Sequence, residues 1–127
     1  MNYLFICKYN RFRSKVAEAY FKQINSQDQV KSAGLIKGTP IDEEIKQAAR
    51  ESNLNNLGKT RKVNNHLLSW ADKIIIVADN VPTSIFKNKD KLILWEIPDV
   101  DNGDFKGRLK AIGVIKKKID QLIKKLQ

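Results

Sequence analysis

Apolar residues fall into two periods along this chain. Nearly unbroken apolar runs at 2–7 (NYLFIC), 73–79 (KIIIVAD) and 91–96 (KLILWE) predict strands. The 73–79 run is apolar on both faces, which suits a central strand. A shorter segment, QVKSAG, predicts a further strand ending at Gly34. Elsewhere the period lengthens to that of a helix. Val16, Ala17, Tyr20, Phe21 and Ile24 mark the core face of a helix from about Ser14 to Asn25. Asp42 to Glu51 reads as a second helix, with Pro40 near its start and Asp42 as N-cap. A short helical stretch is expected from Pro82 to Phe86. The chain closes in an amphipathic helix of about twenty residues, with Ile112, Ile115, Ile119, Leu122, Ile123 and Leu126 on one side and lysines opposite. The Asn-rich stretch 53–65 reads as a long surface connection.

Strands alternating with helices indicate an α/β fold with a parallel sheet covered on both faces. In such a sheet ligands bind beyond the carboxyl ends of the strands. Cys7 ends the first strand, Ser32 the second and Asp79 the third, while Asp99 follows the fourth. The topology therefore gathers these four residues along one edge.

The 127 residues suit one domain, 1–127. The 42% apolar content is ordinary for a chain with a hydrophobic core. No stretch approaches the length of a membrane span, and the first apolar run is too short for a signal peptide. One cysteine excludes an internal disulfide framework and any multi-cysteine zinc site. A free thiol fits a reducing, cytoplasmic setting. The net charge of +10 favours anionic partners. Nucleic acid stays open as a partner but is disfavoured, because arginine is scarce and no basic stripe is interleaved with aromatics.

The lone thiol lies among cations, in CKYNRFRS at 7–14. A tightly curled loop between Cys7 and Arg13 can turn successive N–H groups inward and form an anion nest. The loop runs into the positive end of the next helix. Arg13 can hold two phosphate oxygens in a fork. The same surroundings favour a thiolate over a thiol, with Lys8 and Arg11 adding to the effect.

The stretch LFICKYNRFRS followed by VAEAYF resembles the signature of the low-molecular-weight protein tyrosine phosphatases, whose fold is shared with thioredoxin-linked arsenate reductases. SAG at 32–34, ADKIIIVAD at 71–79 and IPD at 97–99 extend the resemblance over nearly the whole chain, in the same order. The resemblance implies a three-layer sandwich with four parallel strands in the order 2-1-3-4. It implies a phosphomonoester hydrolase acting through a phosphocysteine, without metal or cofactor, on a phosphorylated protein or a small phosphate ester. Position by position, it makes Cys7 the nucleophile, Arg13 the phosphate clamp and Asp99 the general acid on a loop after the fourth strand. The loop Lys8, Tyr9, Asn10, Arg11, Phe12, Arg13 and Ser14 would bind phosphate. Asn10 would hold an unusual backbone conformation, Ser14 would hydrogen-bond the thiolate, and Ser32 would brace the loop. Asp101 and Asp104 compete with Asp99 on proximity, but only Asp99 has the IPD context. His66 has no matching landmark and reads as surface. Trp70 and Trp95 read as core aromatics.

Several positions depart from the family pattern. Tyr9 stands where a glycine is usual, and Phe12 where many members carry a protective second cysteine. Lys15 replaces a common proline, Lys59 a bracing histidine, and Val100 a proline after the acid. The resemblance implies a protein tyrosine phosphatase, but no tyrosine pair follows to grip an aromatic ring, a departure that bears on phosphotyrosine preference. Two rival functions use the same loop. Arsenate reduction would need an external thiol, since the chain has no further cysteine for an internal relay. A non-catalytic phosphate- or nucleic-acid-binding module would keep the loop alone.

Overall fold

A computed structural model describes residues 1–126. Strands β1 (Asn2–Cys7), β2 (Gln29–Gly34), β3 (Lys73–Val77) and β4 (Leu92–Trp95) form one parallel sheet in the order β2-β1-β3-β4. Four helices, α1 (Arg13–Ile24), α2 (Glu43–Glu51), α3 (Asn65–Trp70) and α4 (Phe105–Leu126), complete the α/β fold that the alternation predicts.

Side-chain alternation along β1 explains the layering. Tyr3 and Phe5 enter a cluster with Phe21 of α1, Ile45 of α2 and Ile112 and Ile115 of α4. Leu4 and Ile6 enter the opposite cluster, with Leu67 of α3 and Phe86. The Phe21 ring lies 4.9 Å from Tyr3 and 5.8 Å from Phe5, in tilted and edge-on arrangements that aromatic quadrupoles favour. Each fully buried Phe or Ile contributes about 2 kcal/mol of hydrophobic stabilisation. β1 and β3 are central and buried on both faces, as their unbroken apolar runs require.

The register aligns the strand ends. Cys7 stands opposite Gly34, Ile6 opposite Ile76, and Val77 opposite Trp95. All four carboxyl ends therefore open on the same side of the sheet. α2 starts as its sequence predicts, with the Asp42 carboxylate accepting from the Ile45 N–H at 3.1 Å. Glu43 and Glu44 in its first turn and Arg50 in its last complement the helix dipole.

Several expectations need correction. The Pro82–Phe86 stretch narrows to a 3-10 turn at Thr83–Ile85, and β3 ends at Val77 rather than at residue 79. Residues 53–65 are more than a surface connection. Leu54 and Leu57 are buried, and Lys62 bridges to Gly34 alongside the end of β2. α3 follows at once, capped by Asn64, whose side chain accepts from the Leu67 N–H at 2.8 Å. Six residues give too little length for helical periodicity to show. Ile24 and Leu126, placed on core faces by periodicity, are exposed because both stand at the last residue of their helices. His66 is exposed on α3, and Trp95 is buried. No helix among the described residues is long and apolar enough to cross a membrane.

Candidate active site

β1 delivers Cys7 to the open edge, and the chain then curls back on itself before α1 begins at Arg13. The segment after β2 shapes this curl. The N–H groups of Leu35, Ile36 and Gly38 donate to the carbonyls of Cys7, Lys8 and Tyr9 at 3.0, 2.9 and 3.1 Å. In a trans peptide the carbonyl and the following N–H point in opposite directions. The N–H groups of Lys8, Tyr9 and Asn10 are thereby turned away from that segment, toward the hollow of the loop. The approach is close enough to demand glycine at position 34. A Cβ there would lie 2.6 Å from the Ile36 carbonyl oxygen and 2.8 Å from the Asn10 nitrogen. α1 enters the hollow with no side-chain cap and no acidic residue in its first turn. Its free N–H groups and positive dipole end suit an anion.

Behind the loop runs a continuous polar chain. Asn10 is fully buried and has φ +55°, in the left-handed region that Asn tolerates. Its side-chain amide donates to Ser14 Oγ at 2.8 Å and to Ser32 Oγ at 3.0 Å. Ser32 in turn donates to Glu18 Oε1 at 2.7 Å, and Ser14 Oγ lies 2.9 Å from Cys7 Sγ. The Asn10 side-chain oxygen, Oδ1, accepts from the Arg61 backbone N–H at 3.0 Å. Donor directions run outward from Asn10 to Ser14 and, through Ser32, to the Glu18 carboxylate. The Ser14 hydroxyl, which accepts from Asn10, keeps its own proton free to be donated toward the sulfur. The sulfur lies at the floor of a cavity of about 240 Å³, with its back against the apolar cluster of Leu4, Ile6 and Ala33.

Arg13 closes one wall. Its guanidinium is almost fully buried, donating through Nη1 to the Ile97 carbonyl at 2.9 Å and through Nη2 to Asn80 Oδ1 at 3.1 Å. Asp79 and Asp99 flank it at 3.7 and 3.5 Å. The structure therefore brings Cys7, Arg13 and Asp99 around one cavity, although they lie 92 positions apart at the extremes (Cys7 to Asp99). Asp99 is half exposed, and Asp101 lines the same cavity without pairing to Arg13. Asp104 is otherwise engaged. It caps the start of α4, its carboxylate accepting from the Gly107 N–H at 2.9 Å.

The remaining loop residues divide. Tyr9 is exposed and lines the cavity, and Lys8 Nζ sits 5.2 Å from the centroid of its ring. Arg11 reaches away from the loop centre to the Thr39 and Pro40 carbonyls and to Asp42, at 3.1 to 3.2 Å. Phe12 is buried beneath Arg108, whose guanidinium carbon lies 4.9 Å from its centroid. Arg108 is itself buried, donating to Glu44 at 2.8 Å and Asn102 at 3.2 Å. Lys59 does not brace Asn10; the backbone of Arg61 does.

Sequence reasoning missed Asn80, Glu18, Arg61 and Arg108. Arg108 left a signal, since it falls on the Ile112, Ile115, Ile119 stripe, where an unpaired charge has no place. Asn80 and the Arg61 N–H left none. The buried chain makes Ser32 sensitive. Ser32→Ala removes the hydroxyl from which Glu18 Oε1 accepts and leaves one buried Asn10 N–H without a partner. It is expected to lower stability by about 1–3 kcal/mol in urea unfolding. An unchanged midpoint would show that the brace carries no weight.

Comparison with known proteins bears on this geometry. The family model for low molecular weight phosphotyrosine protein phosphatase matches residues 2–127. A sequence comparison with curated proteins finds no match. Among solved structures, the YwlE arginine phosphatase from Geobacillus stearothermophilus superposes with a TM-score of 0.86 at 23% identity, over 99% of this chain and 92% of that one. Vibrio vulnificus Wzb in complex with benzylphosphonate gives 0.86 at 21% identity, over 98% and 97%. An arsenate reductase from Archaeoglobus fulgidus gives 0.82 at 25% identity, over 95% and 98%. With its sheet order, its curled loop after β1 and a family match from residue 2 onward, the chain belongs to the low molecular weight phosphotyrosine protein phosphatase family.

Proposed function

We propose that this protein is a phosphomonoester hydrolase that works through a phosphocysteine, on a phosphorylated protein or a small phosphate ester. The observation that carries the reading is the polar chain ending at Cys7 Sγ, in a hollow walled by Arg13 and overlooked by Asp99. The Cys7 thiolate attacks phosphorus in line with the leaving oxygen. As the S–P bond forms, the P–O bond breaks, and Asp99 gives its proton to the departing oxygen. Asp99 then takes a proton from water, whose oxygen attacks phosphorus. The S–P bond breaks, orthophosphate leaves, and Ser14 stabilises the returning thiolate. Loop N–H groups and Arg13 hold the charge on the equatorial oxygens throughout.

Family membership and the phosphonate held by Wzb support a phosphate ester as substrate. Tyr9 offers an aromatic wall at the entrance, which suits an aryl ester. Arg11 is tied to the 39–42 segment and so serves the loop's shape rather than the substrate. A lone free thiol suits a reducing compartment such as the cytoplasm.

The test is turnover of para-nitrophenyl phosphate at mildly acidic pH, in the presence of a chelator, with and without vanadate. Hydrolysis blocked by vanadate is expected, and no hydrolysis under any of these conditions would reject the reading. Asp99→Asn separates the acid role from the rest. It is expected to slow phenyl phosphate by roughly 10²–10³-fold, and para-nitrophenyl phosphate much less, because the better leaving group needs less proton transfer. Equal losses for both esters would remove Asp99 from that role.

A further inference from the structure

A second concave surface lies behind the catalytic loop, between α1 and residues 56–61, with a volume of about 350 Å³. Four cations line it: Lys15, Lys22, Lys59 and Arg61. Glu18 is the one carboxylate among the lining residues. It is already shared, since it accepts from Ser32 at 2.7 Å and pairs with Lys15 at 3.6 Å and Lys22 at 3.3 Å. Charge at this surface is therefore strongly unbalanced toward positive.

Lys15 makes the imbalance costly. It is almost entirely buried, and its contact with Glu18 is longer than a hydrogen bond. Burial pushes its pKa down, Glu18 opposes that shift, and Arg61 adds to it. A lysine so placed gains from a further anion. Arg61 spends its Nε on the Ser32 carbonyl at 3.0 Å, and among the described residues its terminal amino groups form no hydrogen bond. Gly58 stands beside the lysine at φ +76°, where a Cβ would come 3.5 Å from Nζ. Cations from both walls thus line one hollow in which Glu18 is the single carboxylate.

We infer that this hollow is a second anion site, separate from the catalytic loop, which binds a compact polyanion such as a diphosphate group. Its position ties it to the loop. The carboxylate it competes with, Glu18, holds Ser32, and Ser32 holds Asn10. The inference does not depend on the proposed hydrolysis.

Inorganic pyrophosphate is the probe, titrated into the full-length protein while backbone amide resonances are followed. The expected result is saturable movement of amides in 15–22 and 56–61, with a dissociation constant distinct from that of any movement in 8–13. The double variant Lys22→Ala, Lys59→Ala alters two exposed side chains and leaves the core intact. It is expected to weaken the 56–61 response roughly tenfold or more, while the 8–13 response keeps its midpoint. Movement confined to 8–13, or an unchanged 56–61 response in the double variant, would overturn the second site. Absence of movement in 8–13 alone would count against the catalytic reading and leave this one standing.

Discussion

Cys7→Ser is expected to lower turnover of para-nitrophenyl phosphate by roughly 10⁴-fold or more, while inorganic phosphate still binds. The size follows from the chemistry. A serine hydroxyl is far less acidic than a thiol, and no base stands beside position 7 to take its proton. Its neighbour Ser14 is already aligned as a donor by Asn10, which gives it one hydrogen bond at 2.8 Å. Phosphate binding survives because it rests on loop amides, the α1 terminus and Arg13, none of which the exchange alters. Calorimetry of phosphate binding alongside the turnover assay separates the two effects. Turnover near the wild-type rate would reject sulfur as the nucleophile.

Arg13→Lys is the second large effect, with an expected loss of roughly 10³-fold in kcat. The guanidinium is held in one plane by the Ile97 carbonyl and Asn80, with Asp79 and Asp99 on its flanks. Lysine keeps the charge but lacks the planar fork, and three donors on one nitrogen cannot serve both anchors and two phosphate oxygens at once. It therefore reaches the equatorial oxygens with a point charge whose position is not fixed. The loss should fall mainly on kcat, because charge on those oxygens matters most in the transition state. Circular dichroism and the unfolding midpoint check that the variant stays folded. A loss of less than tenfold in a folded variant would show that Arg13 supports the loop without acting on phosphate.

Much of this was legible in the chain because its signals are dense. The apolar runs of β1 and β3 state a buried parallel sheet, and strand ends in such a sheet define where ligands go. Cys7 and Arg13 belong to one short loop, so their meeting needs no long-range knowledge. Asp99 was reached through its IPD context, and in the structure its carboxylate lies 3.5 Å from Arg13. What the sequence hid depends on tertiary contact. Nothing in the sequence marks Lys15 and Glu18 as buried, yet both are, and both line the hollow beside residues 56–61. The Arg61 N–H that fixes Asn10 is a backbone group, which no residue pattern can reveal. α3 was missed because its six residues carry a cap and little else.

In the proposed reaction phosphorus passes through the Cys7 sulfur, and it can be caught there by acid-quenching the enzyme during turnover of para-nitrophenyl phosphate, then digesting and weighing the peptides. One added phosphoryl group is expected on the peptide that contains Cys7, lost on brief exposure to conditions that cleave S–P bonds and absent from Cys7→Ser quenched in the same way. Steady hydrolysis by the wild-type enzyme with no phosphoryl group on that peptide, or with the group on another residue, would contradict that route.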